Sequence, residues 1–162
     1  SDSAPVLVVL DAKMVIQNSK GERVVSAEEF FIGPDVDITR MTVLKPGEIL
    51  TSIRLPKAWA GARYYFEKVS DRETWDFPLV NIALAMFVKG GKIQRVRISC
   101  GGVQCVPRRL IGVEDLLTGE AINEELATMG GSSASRGAKA LNFNHFKVPL
   151  MENLVIRAIR NS

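Results

Sequence analysis

Apolar residues dominate the stretch from Ala62 to Cys100, and their spacing changes twice along it. Arg63 to Val69 (Arg-Tyr-Tyr-Phe-Glu-Lys-Val) is aromatic and suits a strand. A polar turn, Ser-Asp-Arg-Glu-Thr, follows, and Trp75 to Val88 is then apolar nearly throughout. Periodicity alone does not tell such a run from a buried helical segment. The Gly90-Gly91 corner decides for a strand covered on both faces, because two adjacent residues free to take φ > 0 suit the type I′ turn of a hairpin. Lys92 to Cys100 alternates, with Val96, Ile98 and Cys100 on one face and Arg95 and Arg97 on the other, the pattern of a half-buried strand. The spacing therefore predicts an antiparallel three-stranded meander with the middle run at its centre.

Upstream, Ala4, Val6, Leu7 and Leu10 give an apolar face to a short helix that Ser1, Asp2 or Ser3 can cap. Ala12 to Gln17 and Glu22 to Val25 predict short strands joined by the turn cluster Asn18-Ser19-Lys20-Gly21. Ser26 to Glu29 spells a capping box, which opens one helical turn carrying Phe30 and Phe31 until Gly33-Pro34-Asp35 stops it. Residues 33–47 read as an irregular loop, Glu48 to Leu55 as a strand, and Pro56 to Gly61 as a hinge-like connector at a subdomain boundary.

Downstream of the meander, Cys100 to Arg109 reads as extended, and Pro107 disfavours helix at Val106. Leu110 to Leu117 predicts a short helix ended by Gly119, and Asn123 caps another that Gly130-Gly131 weakens. Asn144 is expected to cap the most strongly patterned helix. There Phe146, Leu150, Leu154 and Ala158 fall at four-residue steps, with Met151, Val155 and Ile159 beside them.

Composition narrows the class. The 162 residues are 46% hydrophobic and 24% charged, enough for one domain or slightly more with a real core. No apolar run approaches the roughly 18 residues of a membrane span, and Val6 to Leu10 is too short for a signal-peptide core. No membrane partner is expected. Two cysteines and no targeting segment point to a reducing, cytoplasmic setting. The +3 net charge is carried by scattered basic residues, so no nucleic-acid partner is expected either. The chain begins with Ser and opens straight into an element, as a chain cut inside a larger protein, or a processed subunit, would.

Candidate chemistry is sparse. A single histidine, His145, and one Cys pair, Cys100 and Cys105, do not make a metal site. The thiols read as one core and one loop residue, and His145 as a surface or capping residue. Nucleophilic triads lack a second histidine, and neither Gly101-Gly102 nor Gly130-Gly131 has the spacing of a phosphate loop. One polar constellation remains: Lys68 at a strand end, with Asp71, Arg72, Glu73 and Asp76 in the adjoining turn. By pattern alone it is a solvated hairpin end. Residue types alone give an α+β domain without a self-contained catalytic centre.

Five segments in register change that reading. Ser1-Asp2-Ser3-Ala4-Pro5, Lys45-Pro46-Gly47-Glu48-Ile49-Leu50-Thr51-Ser52-Ile53, Phe66-Glu67-Lys68-Val69 with Arg72 and Asp76-Phe77, Ile98 to Pro107, and Phe146-Lys147-Val148-Pro149-Leu150 to Arg157-Ala158 occur in that order. Together they resemble the FAD-binding (medium) subunit of the molybdenum hydroxylases, the family of xanthine dehydrogenase, carbon monoxide dehydrogenase and 4-hydroxybenzoyl-CoA reductase. The resemblance spans the whole chain and departs at Gln104-Cys105, where the family has Ala-Pro, and at Arg108 in place of Trp.

The resemblance implies an α+β fold. Residues 1–55 would be the C-terminal part of an FAD-binding subdomain, and residues 62–162 the flavoprotein C-terminal domain, a three-stranded antiparallel sheet against a C-terminal helical cluster. It implies FAD as cofactor, with Ser1, Asp2, Ile49, Leu50, Lys68 and Asp76 at the flavin. Ile49 and Leu50 would pack by the ring, and the Lys68 cation would favour its anionic reduced form. It implies an oxidoreductase component that accepts electrons from [2Fe-2S] clusters of an iron–sulfur small subunit, two for each substrate hydroxylated at the Mo-pterin of a molybdopterin large subunit, and passes them to an external acceptor. The family's glycine-rich N-terminal FAD-binding half is expected as a further partner, without which this chain should hold FAD weakly. The alternative expectation is a non-catalytic module that assembles such a complex.

Overall fold

The structure, a computed structural model, describes residues 1–73 and 75–162. Helix α1 (Ala4–Val9) leads into a three-stranded antiparallel sheet of β1 (Lys13–Asn18), β2 (Gly21–Ser26) and β3 (Ile49–Arg54), ordered β2-β1-β3. The one-turn helix α2 (Ala27–Phe30) follows β2 and carries the capping box read from sequence. The amide of Glu29 donates to Ser26 Oγ, and the Glu29 carboxylate accepts from the Ser26 amide. Val8, Ala12, Met14, Ile16, Ala27 and Phe30 close the core of this unit.

A second sheet holds β4 (Arg63–Val69), β5 (Val80–Lys89), β6 (Lys92–Gly101) and the two-residue β7 (Arg108–Arg109), all antiparallel in that order. The meander is thus present, with a short fourth strand added on the β6 edge. Gly90 and Gly91 at its hairpin take φ of 61° and 76°, the pair of left-handed residues that a type I′ turn requires. The central strand β5 is buried on both sides. Ile82, Leu84 and Met86 face α3 (Ile111–Leu117), α4 (Glu124–Ala134) and α5 (Lys147–Arg160), whereas Ala83 and Ala85 face α1 and Trp59.

Three expectations are corrected. The Pro56 to Gly61 connector is not a free hinge. It forms a 3-10 turn, Lys57–Trp59, whose Trp59 is buried, stacks on Phe87 at 5.7 Å and lies under the Arg95 guanidinium. Arg95 and Arg97 do not simply face solvent. Arg95 stays exposed but lays its guanidinium over Trp59, and the Arg97 side chain, paired with Asp11 and Glu28 of the first unit, is only 13% exposed. Asn144 does not cap α5. Its carboxamide oxygen accepts from the Leu141 amide at 2.6 Å, the helix begins after Phe146, and Phe146 is half exposed rather than in the core. The short turn ahead of α5 uses the Asn side chain for its own closure, so the helix starts later than the apolar spacing predicts.

Gly130-Gly131, expected to weaken α4, is where α4 meets α5. A Cβ on Gly131 would stand 2.9 Å from the Glu152 carbonyl oxygen and 2.7 Å from Ile156 Cγ1. Small residues there let the two helices approach more closely than larger side chains would allow. Among the described residues no helix is long and apolar enough to cross a membrane.

Candidate functional site

The site is built on one row across the second sheet. Lys68 on β4 opposes Asn81 on β5, and Asn81 opposes Gly101 on β6. Residues directly opposite each other share a face, and here that face lies beneath the start of α1. Each member of the row meets that segment. Lys68 Nζ donates to Asp2 Oδ2 at 2.8 Å and to the Asp76 carbonyl. Asn81 Nδ2 reaches the Asp2 carbonyl at 3.4 Å. A Cβ on Gly101 would lie 3.1 Å from Pro5 Cγ and 2.4 Å from Asn81 Oδ1, so the strand and helix come too close there for a side chain. Asn81 is fully buried, and among the described residues its Oδ1 has no hydrogen-bond partner.

The loop from β4 to β5 holds the other side of Lys68. The Asp76 carboxylate accepts from the amides of Arg72 at 3.0 Å and Phe77 at 2.9 Å, and from the Arg72 guanidinium at 3.4 Å. The hydrogen-bonded Arg72 guanidinium, with these amides, holds the Asp76 carboxyl below the usual carboxylate range. Asp76 therefore meets Lys68 through its main chain, and its side chain folds the loop that presents that carbonyl. Trp75, at φ 44°, and Phe77 stand outward, fully and 86% exposed. Asp71 and Glu73 are exposed as well.

Beside the row, Ser1, Ala4, Pro5, Gly101, Gly102 and Cys105 line a cleft of about 230 Å³. Gly102, at φ +79°, packs against the Leu79 carbonyl, where a Cβ would come within 2.7 Å. The cleft thus offers the Gly102 backbone along one side, and Asp2, whose half-exposed carboxylate pairs with Lys68, follows its lining residue Ser1 in the chain. These groups can hold a flat ligand with a polar edge.

Of the sequence-predicted residues, Asp2, Lys68 and Asp76 are brought together, and Ser1 lies next to them, with its Oγ 3.1 Å from Ser3 Oγ. Ile49 and Leu50 are elsewhere, on β3 opposite Gln17 and Ile16 of β1. Ile49 is 68% exposed and Leu50 half-buries against the first core. Sequence reading passes over Asn81 and considers Gly101 only to reject it as part of a phosphate loop. The available signal was that Asn81 is the one polar residue in the run from Val80 to Val88.

A second polar network ties the two sheets together behind the site. Arg97 pairs with Asp11 at 3.5 Å and Glu28 at 3.0 Å, Glu28 with Arg109 at 3.4 Å, and Arg109 with the buried Glu114 at 2.6 Å. Glu114 also accepts from the Ile98 amide at 3.1 Å.

Two family models match the chain. Residues 1–58 match the FAD binding domain in molybdopterin dehydrogenase, and residues 64–162 match the CO dehydrogenase flavoprotein C-terminal domain. The chain is 33% identical over 126 residues to the glyceraldehyde dehydrogenase medium chain of Sulfolobus acidocaldarius, covering 78% of this chain and 42% of that one. It is 28% identical over 134 residues to the carbon monoxide dehydrogenase medium chain of Hydrogenophaga pseudoflava, covering 83% and 45%. Among solved structures, quinoline 2-oxidoreductase from Pseudomonas putida 86 superposes with a TM-score of 0.86 at 25% identity, over 99% of this chain and 55% of that one. Carbon monoxide dehydrogenase from Hydrogenophaga pseudoflava gives 0.86 at 26% identity, over 98% and 55%. The chain spans about half the length of the curated relatives it matches.

Proposed function

Because this chain belongs to the CO dehydrogenase flavoprotein C-terminal family, the FAD-binding medium subunits of molybdenum hydroxylases, we propose that it forms one wall of an FAD site in an oxidoreductase complex. In this reading residues 1–55 complete an FAD-binding subdomain, and residues 62–162 form the domain that closes over it. The complex would relay electrons from iron–sulfur clusters of a small subunit, supplied by a molybdopterin large subunit, to an external acceptor. A partner polypeptide equivalent to the other half of the relatives would hold the rest of the cofactor.

The observation that carries this reading is the Lys68 ammonium, held between the Asp2 carboxylate and the Asp76 carbonyl on the row that leads through Asn81 to Gly101 at the cleft. FAD, when bound, supplies the electron-carrying chemistry. Lys68 and Asp2 would meet its polar ring edge, with Ser1 beside them, and Asp76 would position Lys68. Ile49 and Leu50 would offer apolar surface from β3. The residues fit this use. Gly101 and Gly102, with no side chains, let Pro5, Asn81 and the Leu79 carbonyl pack close, which holds the start of α1 against β6 at the cleft wall. The Lys68 side chain is 24% exposed, enough to reach a ligand and screened enough to act on it electrostatically. Its positive charge stabilises negative charge that collects at the ring edge on reduction.

The test is Lys68→Met in the FAD-loaded subunit. Loss of the cation should lower the flavin midpoint potential, by on the order of tens of millivolts. An unchanged potential together with unchanged turnover would remove Lys68 from the site.

A further inference from the structure

We propose that the pocket between the loop ahead of β7, the turn joining α4 to α5 and the first turn of α5 binds a small phosphate monoester. The pocket has a volume of about 310 Å³ and is lined by Arg108, Lys139 and Lys147 with no carboxylate among its lining residues. The three cations come from three separate segments: β7, the inter-helix turn and α5. Lys147 Nζ donates to the Gly102 carbonyl at 2.8 Å and is fixed at the pocket edge. Among the described residues the side chains of Arg108 and Lys139 meet no acceptor. Gln104 and the Asn144 carboxamide nitrogen line the same pocket without one as well.

A wall made of donors and cations, with no carboxylate to neutralise it, recognises an anion. The arrangement favours phosphoryl over carboxylate. One arginine fork saturates a carboxylate, whereas cations converging from three segments match the several oxygens of a tetrahedral dianion. Val103, Val148 and Met151 supply an apolar floor, so the anion would carry a compact apolar body. The pocket shares Gln104 with the cleft at Ser1 and Gly101 but none of its cations, and does not rest on the flavin reading.

The experiment is isothermal titration of the full chain with phenyl phosphate in phosphate-free buffer at neutral pH and constant ionic strength. Saturable one-site binding is expected, with a dissociation constant on the order of 0.1 mM. Arg108→Gln and Lys139→Gln should each weaken it roughly tenfold with an unchanged circular dichroism spectrum, and Lys20→Gln, on the distant β1–β2 turn, should leave it as it was. Benzoate should bind about tenfold more weakly than phenyl phosphate. No saturable binding up to about 10 mM phenyl phosphate, or equal binding by folded Arg108→Gln and Lys139→Gln variants, would overturn the proposal. Equal affinity for benzoate would overturn the phosphate assignment.

Discussion

Lys68 Nζ lies 2.8 Å from the carboxylate of Asp2, a residue 66 positions earlier in the chain. The contact joins the start of α1 to the end of β4, and so joins the first structural unit to the second. Both side chains are partly exposed, 24% for Lys68 and 50% for Asp2. Solvent screening keeps such a pair weak. A double-mutant cycle with Lys68→Met and Asp2→Asn should give a coupling of about 0.5–1 kcal/mol in urea denaturation. A coupling of several kcal/mol would mean the pair is structural, and its placement at the cleft would then lose its functional meaning.

Acid should loosen the first unit through Glu48. Its carboxylate takes two hydrogen bonds from Arg23, at 2.9 and 2.7 Å, and one from the Lys45 amide at 2.9 Å. The Arg23 fork, above all, holds the Glu48 carboxyl down at about 2 against an ordinary 4.5. A group depressed on folding contributes stability that is complete above its unfolded value and is lost as pH falls toward the folded one. Tm should therefore decline between about pH 4.5 and pH 2, and Glu48→Gln should flatten that decline while lowering Tm at neutral pH. A Tm profile identical in the two proteins would contradict the assignment.

The two thiols should separate cleanly in reactivity. Cys100 is fully buried, with its sulfur 3.7 Å from Met151 Sδ, and burial pushes its thiol up to about 12. Cys105 is exposed. A disulfide reagent at neutral pH should modify Cys105 quickly and Cys100 only on unfolding, because the thiolate is the reacting form. Two equally fast thiols in the native chain would show that the helix-facing core around Cys100 is open.

Gly131→Ala tests how α4 meets α5. Alanine gains helix propensity, up to about 1 kcal/mol. Its Cβ, however, would meet the Glu152 main-chain oxygen at 2.9 Å, which cannot rotate away. Net destabilisation of about 1–2 kcal/mol in urea denaturation is expected. Stabilisation would place the helices farther apart than the structure has them.

The meander was legible because its strands carry distinct patterns and Gly90-Gly91 fixes how two of them pair. The burial of β5 on both faces followed from its unbroken apolar run. What covers the second face did not. Trp59 sits in a Pro- and Gly-flanked connector with no pattern to mark its burial against Val9 and β5, and Arg97 on an alternating strand reads as solvent-facing until Asp11 and Glu28 are packed on it. Local spacing carries no record of contacts over such separations. The same limit explains the site. Lys68 and Asp76 lie close in sequence, and Asp2 entered only by resemblance. Asn81 and Gly101 join them through cross-strand register, which is set by the whole sheet. Asn144 went wrong for a local reason, since a side chain able to cap a helix can equally close the turn before it.

The most direct test of the flavin-wall account is nitrogen–proton correlation NMR of the chain titrated with FAD up to about 5 mM, where even weak binding is visible. Shift changes are expected at Ser1 to Ala4, Lys68, Asp76, Phe77, Gly101 and Gly102, and they should shrink in Lys68→Met. Changes confined to other surfaces, or none at the highest FAD concentration with the chain folded, would contradict it.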